Sequence, residues 1–513
     1  MRHTKSSAPL PTALFSTALL AVLAALASCA REQPKWNILL IVVDTLRADH
    51  LSCYGYDYAT TPHIDALAAQ SLRFTHAQSP RAKTTPAMAS VMTGLYPHDH
   101  GVRDLGVPLD NQVPVLADVL RGEGYHTFGV VGNFVLTDRL SGLARGFTRW
   151  IEDLPDKTGV PPDHVPQSRS VSITDAGLVE LDRAAEGERP WFGWLHYMDP
   201  HGLYDPPAEH QLFATETPDL IPDPAQLPPH PIHRFDLPEF NIPEGAFTED
   251  GSVDAARVRD LYDGEIHYAD EGIGRVLDRL AERGWLENTI VVLTSDHGES
   301  LGEHRYWFEH GRYTYEATCR VPLLMRLPEA HPERTQPGTR RGDISLVDLA
   351  PTLVALSGSH PRGGKSLRRA SGPGGRARLD LLREDIASER PVFSEKIVRA
   401  EQDGTVQAKA VRMGDWKLIR RYTHLPALAG GDERQLRILS EELYDLAADP
   451  GESDNLMDAP PARAPLTRMQ SELLQFSQAD VHFADLAGEL QADHERLEAE
   501  DPEALRILRA LGY

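Results

Sequence analysis

Six consecutive apolar residues, Ile38-Leu39-Leu40-Ile41-Val42-Val43, stand near the start of the folded body. An unbroken, largely β-branched run has no polar face to give to water, so it predicts a buried parallel strand. Comparable runs lie at Thr127–Val131, Trp191–His196, Thr289–Thr294 and Val321–Met325, with helical patterns such as Ile64–Leu72 and Asp260–Arg283 between them. The alternation predicts an α/β body, a parallel-rich sheet covered by helices on both faces. Tyr204–Glu244 is dense in Pro and reads as a long surface excursion, and the Gly- and Arg-rich stretch His360–Arg378 reads as a boundary or loop. Beyond it, Val392–Glu395, Ala408–Met413, Trp416–Arg421 and Glu442–Asp445 read as short strands of a second, smaller unit, followed by a helical tail from Leu466. The organisation expected is a main α/β domain over 35–375, a small-sheet α+β subdomain over 376–465 and a tail over 466–513.

Ahead of this body, Arg2, His3 and Lys5 precede an uncharged, Leu- and Ala-rich stretch from Ser6 to Ala30, the pattern of an export signal. Its end, Leu26-Ala27-Ser28-Cys29, resembles the lipobox of bacterial lipoproteins. The resemblance implies a signal over 1–29, acylation of Cys29 and anchoring to a membrane; an uncleaved span is the alternative, and both put the body outside the cytoplasm. After Cys29 only Cys53 and Cys319 remain, which excludes a disulfide scaffold and leaves them as small apolar residues. The 513 residues include 76 acidic and 52 basic side chains, a net charge of −24 that argues against a nucleic-acid partner. Such a surface also repels polyanions unless the cleft is locally positive, which makes small or mono-anionic esters the easier substrates.

Candidate chemistry gathers at strand ends. Asp44 follows the first apolar run, and Asp296-His297 follow Thr289–Thr294. Carboxylate and imidazole groups delivered by two buried strands to one sheet edge make a plausible divalent-cation site. Asp199 and His201 follow Trp191–His196, and His310 lies in Trp307-Phe308-Glu309-His310-Gly311. His196 itself reads as a core residue, His98 and His100 as structural, Glu299 as a helix amino-terminal carboxylate, and Arg47 as an ion-pair partner.

The ordered segments VDTLRADHLSCYGY, TPHIDALA, TTPAMASVMTGLYPHDHGV, YMDPHGLYDPP, YADEGIGRVLDRL, SDHGESLGEH, RVPLL, SLVDLAPTL, GDWKLI and ELYDLAADPGESDNL resemble the sulfatase family of the alkaline phosphatase superfamily, from about Lys35 to Asn455. The resemblance implies a large α/β domain with a central mixed, mostly parallel sheet and a smaller carboxyl-terminal domain with a four-stranded sheet. One departure matters most. Sulfatases carry Cys or Ser, oxidised to formylglycine, nine residues before the Thr of a Thr-Gly pair; here Thr93-Gly94 puts Thr84 at that position, and Met88 replaces the family Arg. Oxidation of threonine would give a ketone, so formylglycine chemistry is not expected. Superfamily phosphodiesterases, phosphonate hydrolases and phosphoglycerol transferases carry Thr at this position, where its hydroxyl attacks phosphorus.

The mechanism so implied has Asp44, Asp296 and His297 holding a divalent cation (Ca, Zn or Mn) that also binds Thr84 Oγ1 and the ester. His201 and His310 serve the leaving oxygen or, with Asp199, hold a second ion; one or two ions stay open. The Gly-Lys-Trp-His of sulfatases is Gly129–Phe134 here, leaving Asn133 as a polar substrate contact, and Arg320 is a second anion contact. The expected substrate is a sulfate or phosphate ester of a small molecule, glycan or lipid. A phosphodiesterase, a head-group transferase and a silent binding protein are the alternatives.

Overall fold

The computed structural model describes residues 35–154, 168–222, 242–359, 375–385, 390–401, 404–424, 436–480, 492 and 495–510. The signal segment with Cys29, the middle of the Pro-rich excursion and most of the Gly- and Arg-rich stretch lie outside the described residues. Among the described residues no helix is long and apolar enough to cross a membrane.

The main body comprises β1 (Asn37–Val43), α1 (Pro62–Ala68), β2 (Leu72–Gln78), α2 (Thr84–Thr93), α3 (Leu116–Gly122), β3 (His126–Val131), β4 (Arg149–Ile151), α4 (Ser170–Ala185), β5 (Trp191–Tyr197), α5 (Ala255–Glu282), β6 (Thr289–Thr294), β7 (Arg320–Arg326), β8 (Gly338–Arg340), β9 (Ile344–Ser345) and α6 (Leu349–Leu356). The sheet order is β8-β2-β7-β6-β1-β5-β3-β4, with β9 also pairing β2. Only β7 runs antiparallel to its neighbours within this sheet. The expected mixed, mostly parallel sheet is therefore present.

The period of two along a strand divides the core. Ile38, Leu40 and Val42 of β1 join the apolar layer under α2, α3 and α6, while Leu39, Ile41 and Val43 join the layer under α4 and α5. β5 is buried over its whole length, and at its centre Gly193 admits the Phe128 ring, which would stand 2.3 Å from a Cβ. α5 begins earlier than its apolar pattern indicates, because Asp254 caps it, accepting from the backbone N–H groups of Ala256 and Arg257 at 3.1 and 3.3 Å.

The second unit is an antiparallel sheet in the order β10 (Val392–Glu401), β11 (Gly404–Met413), β12 (Trp416–His424) and β13 (Leu436–Asp445). The tail supplies α7 (Leu466–Gln478), whose Met469, Leu473 and Phe476 pack on Phe393, Val411 and Leu418, and α8 (Pro502–Ala510), whose Leu505 and Leu508 pack near Leu105 and Leu140. Trp36–Tyr513 form one compact unit. Buried ion pairs join the small sheet to the main body. Glu316 meets Arg412 and Lys417, Glu395 meets His98 at 3.0 Å and Lys409 at 3.4 Å, and Asp480 after α7 meets Lys409 at 3.1 Å and Arg103. Cys53 and Cys319 are free.

Burial by itself would raise the Asp480 carboxyl, but Arg103 and Lys409 override it and hold the group well below the usual carboxylate range. Breaking a buried pair strands its partner charges, so Asp480→Ala should lower unfolding stability by about 3–5 kcal/mol. The denaturant midpoint measures this. A carboxyl depressed in the folded state contributes fully above its ordinary pKa and loses that contribution as pH falls through the folded value, so the gap to wild type narrows in acid.

Candidate active site at the carboxyl edge of the sheet

β1, β2, β3, β5 and β6 run parallel and end on the same edge, where an open α/β sheet leaves a crevice. Val43 pairs with Tyr197 and Val42 with Thr294, so Asp44, one step beyond β1, is flanked by the segments that follow β5 and β6. Thr84 arrives after β2 as the first residue of α2 and is buried.

The turn that presents Asp44 departs from ordinary backbone geometry. Thr45 has a φ of 55°, a left-handed conformation that β-branched residues avoid. Tyr262 holds the turn, since its hydroxyl donates to the Thr45 carbonyl at 2.8 Å and accepts from the Arg47 N–H at 3.0 Å. Arg47 is bound to Asp49, Glu303 and the Glu299 carbonyl, as its ion-pair reading requires.

At the centre, Thr84 Oγ1 donates to Asp44 Oδ2 at 3.4 Å and lies 3.4 Å from His297 Nε2. His297 Nε2 is 3.8 Å from Asp44 Oδ1 and 3.4 Å from Asp296 Oδ2. His297 Nδ1 lies 3.0 Å from the Gly298 carbonyl, an acceptor that fixes the proton on Nδ1 and turns the Nε2 lone pair inward. Gly298 is required there, because a Cβ would come within 2.2 Å of the Ala317 carbonyl oxygen. The Asp296 Oδ1 is occupied by the N–H groups of His297 and Thr45 at 2.9 and 3.3 Å. Asp44, Asp296 and His297 are completely buried. Burial and then the Asp296 charge push the Asp44 carboxyl well above its ordinary range, against hydrogen bonds from Asn133 and Thr84.

The donor set fits a cation. Asp44 Oδ1, Asp296 Oδ2 and both ring nitrogens of His196 are buried with no hydrogen-bond partner. One atom each from Asp44, His196 and Asp296 lies within 4.8 Å of the others. Carboxylate oxygens beside neutral imidazoles suit a divalent ion, which would use lone pairs that no protein hydrogen meets. His196 differs here from its reading as a core residue. It is buried, but its Nε2 is 4.0 Å from Asp44 Oδ2. The available signal was a polar residue one step before the end of an otherwise apolar strand.

Beside this group stand His201 and His310. The His310 ring centroid is 4.4 Å from that of His297 and 5.1 Å from that of His201. Glu299 directly precedes the short strand Ser300–Leu301 rather than opening a helix, and its Oε1 is 3.1 Å from His310 Nδ1 while its Oε2 accepts from Tyr204 at 3.1 Å. Burial lowers the His201 and His310 imidazoles to about 4, and burial raises the Glu299 carboxyl to about 7. Glu299 and His310 thus form a buried carboxyl–imidazole pair.

Other sequence candidates have different occupations. Asn133 donates to Asp44 Oδ2 at 2.7 Å while its oxygen accepts from the Val135 N–H at 3.0 Å, so it orients a carboxylate. Asp199 Oδ2 accepts from the Ser170 N–H at 2.7 Å and from the Ser170 hydroxyl, at the start of α4. Arg320 Nε donates to the Thr75 carbonyl at 3.2 Å. His98 pairs with Glu395, and His100 Nε2 lies 2.9 Å from Ser90 Oγ, both structural contacts.

Comparison with known proteins agrees with this geometry. The model of the sulfatase family matches residues 36–359, and the model described as N-sulphoglucosamine sulphohydrolase, C-terminal, matches 302–479. Choline-sulfatase of Rhizobium meliloti is 27% identical over 83% of this chain and 83% of its own. The multifunctional alkaline phosphatase superfamily protein PehA of Trinickia caryophylli is 29% identical over 84% of this chain and 93% of its own. Among solved structures, a 2-O GAG sulfatase superposes with a TM-score of 0.66 at 21% identity, covering 88% of this chain and 94% of that one. With the family model spanning more than half of the chain, this protein belongs to the sulfatase family and is a hydrolase of sulfuric ester bonds.

Proposed function

We propose that the protein is an exported, metal-dependent hydrolase of sulfate or phosphate esters in which the Thr84 hydroxyl is the nucleophile. The observation that carries this reading is that hydroxyl, 3.4 Å from both Asp44 Oδ2 and His297 Nε2, among buried acceptor atoms that lack hydrogen-bond partners. Asp44, Asp296 and His297 would hold one divalent cation, with His196 beside them; such an ion stabilises an alkoxide and neutralises charge on the ester oxygens. Thr84 Oγ1 releases its proton to solvent and bonds to the sulfur or phosphorus in line, as the bond from that atom to the leaving alcohol oxygen breaks. The first-turn N–H groups of α2 face an anion favourably at that point. The departing oxygen takes its proton from His310, replenished by Glu299, or from His201. Water then displaces Thr84. The names of the relatives support sulfate esters, and the threonine in place of a formylglycine precursor supports phosphoryl chemistry on the same machinery. Acylation at Cys29 would hold the enzyme at a membrane surface outside the cytoplasm, supported by the charged start, the apolar stretch and the lipobox-like end of residues 1–29.

A panel of aryl sulfate, phosphate monoester, phosphate diester and phosphonate tests the chemistry. Thr84→Ala should abolish turnover of every accepted ester while Thr84→Ser keeps measurable activity; full activity in Thr84→Ala removes the hydroxyl from the reaction. Chelation should inactivate the wild type and readdition of a divalent ion restore it, and Asn133→Ala, which frees the Asp44 carboxylate, should weaken metal affinity by roughly 10–100-fold. Activity titrated against free metal reads both. In cells, Cys29→Ser should move the protein from the membrane to the soluble exported fraction, as fractionation and blotting would detect.

A further inference from the structure

Away from the sheet edge, imidazoles from separate parts of the chain meet on α5. His210 closes a short 3-10 turn, Ala208–His210, and is buried. Its Nδ1 lies 2.8 Å from Nδ1 of His267 on α5, and its Nε2 lies 3.4 Å from Glu271 Oε2. His267 and Glu271 stand at positions i and i+4 of the helix, so one face carries both. Two glycines let the other segments settle on that helix. A Cβ at Gly264 would stand 2.8 Å from the His210 carbonyl oxygen, and a Cβ at Gly274 would stand 2.5 Å from the ring of His63, in the first turn of α1. The ester chemistry at Thr84 uses none of these side chains.

The contact between the two rings has a chemical consequence. Facing nitrogens 2.8 Å apart hold at most one proton between them, so at least one lone pair points into the gap. The nearby Glu271 carboxylate favours the His210 proton on Nε2, which leaves the His210 Nδ1 lone pair facing His267. Burial first, then His210 and His63, disfavours the charged form of His267 against the opposing pull of Glu271, and a neutral imidazole is the form that binds metal. Nitrogens about 2.0–2.1 Å from a tetrahedral zinc stand about 3.3 Å apart, so rings now at 2.8 Å admit the ion by parting about half an ångström, as the His267 proton moves to Nε2. The Glu271 side chain is 59% exposed and able to turn onto the ion. Imidazoles with one carboxylate are the donor set that suits zinc among divalent cations. The rings of Phe213 and Tyr268, centred 6.3 Å from His267 and 5.0 Å from His210, flank the pair and lower the local dielectric. A net charge of −24 also draws cations toward the surface of this chain.

We propose that His210, His267 and Glu271 form a zinc-binding clip, separate from the catalytic cation, with water or the neighbouring His63 in the fourth position. The clip fastens to α5 the segment that follows His201 and Tyr204. It does not depend on the Thr84 reading.

The test uses the full chain, stripped of metal, equilibrated with buffered zinc and analysed for zinc bound per chain. Whatever the sheet edge holds, His210→Gln and His267→Gln should each retain one zinc fewer than wild type. Glu271→Gln changes an exposed side chain, where folding is not at stake, and should weaken the same zinc by at least about tenfold. The rise in melting temperature that zinc produces should be smaller in both histidine variants than in wild type. Equal zinc content in wild type and the two histidine variants, or zinc affinity unchanged in Glu271→Gln, overturns the clip and leaves the rings joined by an N–H···N hydrogen bond alone. Ester turnover enters neither readout, so failure of the Thr84 reading and failure of the clip are told apart.

Discussion

Two carboxylates brought face to face in a dry place set the terms for the rest of this protein. Asp44 and Asp296 follow neighbouring parallel strands whose register leaves them no other position, and both are removed from water. Their repulsion grows as the local dielectric falls, so the edge of the sheet needs a proton or a cation. The surroundings suit the proposed cation. Asn133 and two backbone N–H groups occupy the outer lone pairs, the Gly298 carbonyl fixes which nitrogen of His297 faces inward, and Thr45 accepts an unfavourable backbone angle to aim the first carboxylate.

The same economy of charge recurs away from the centre. The small sheet is fastened by Glu316, Glu395 and Asp480, each bound to basic partners and hidden from solvent. Its first strand also carries Lys396 to the segment that holds His310.

Much of this was legible in the sequence because the information was local. β1, β3, β5 and β6 were apparent as apolar runs, and Asp44, Thr84, Asp296 and His297 as side chains at strand ends or in a motif. β2 was not, because Leu72–Gln78 mixes Thr, His, Gln and Arg with apolar residues on a partly exposed strand. The part played by His196 was hidden for the opposite reason, an apolar context that suggested packing. Glu299 was mistaken for a helix-start carboxylate because nothing in its neighbours discloses that a short strand follows it. Asp199 and Arg320 had the right chemistry at plausible spacing, yet Ser170 and the Thr75 carbonyl, both distant in sequence, claim them. Such competition is decided by tertiary contact, which spacing cannot register.

The pair between Arg103 and Asp480 joins residues 377 positions apart. During synthesis, α2 would emerge long before the small sheet and Asp480, and a nascent chain halted midway would carry Arg103 without its carboxylate partner. The packing of the small sheet against the main body is thus closed by a residue that follows α7, near the end of the described chain.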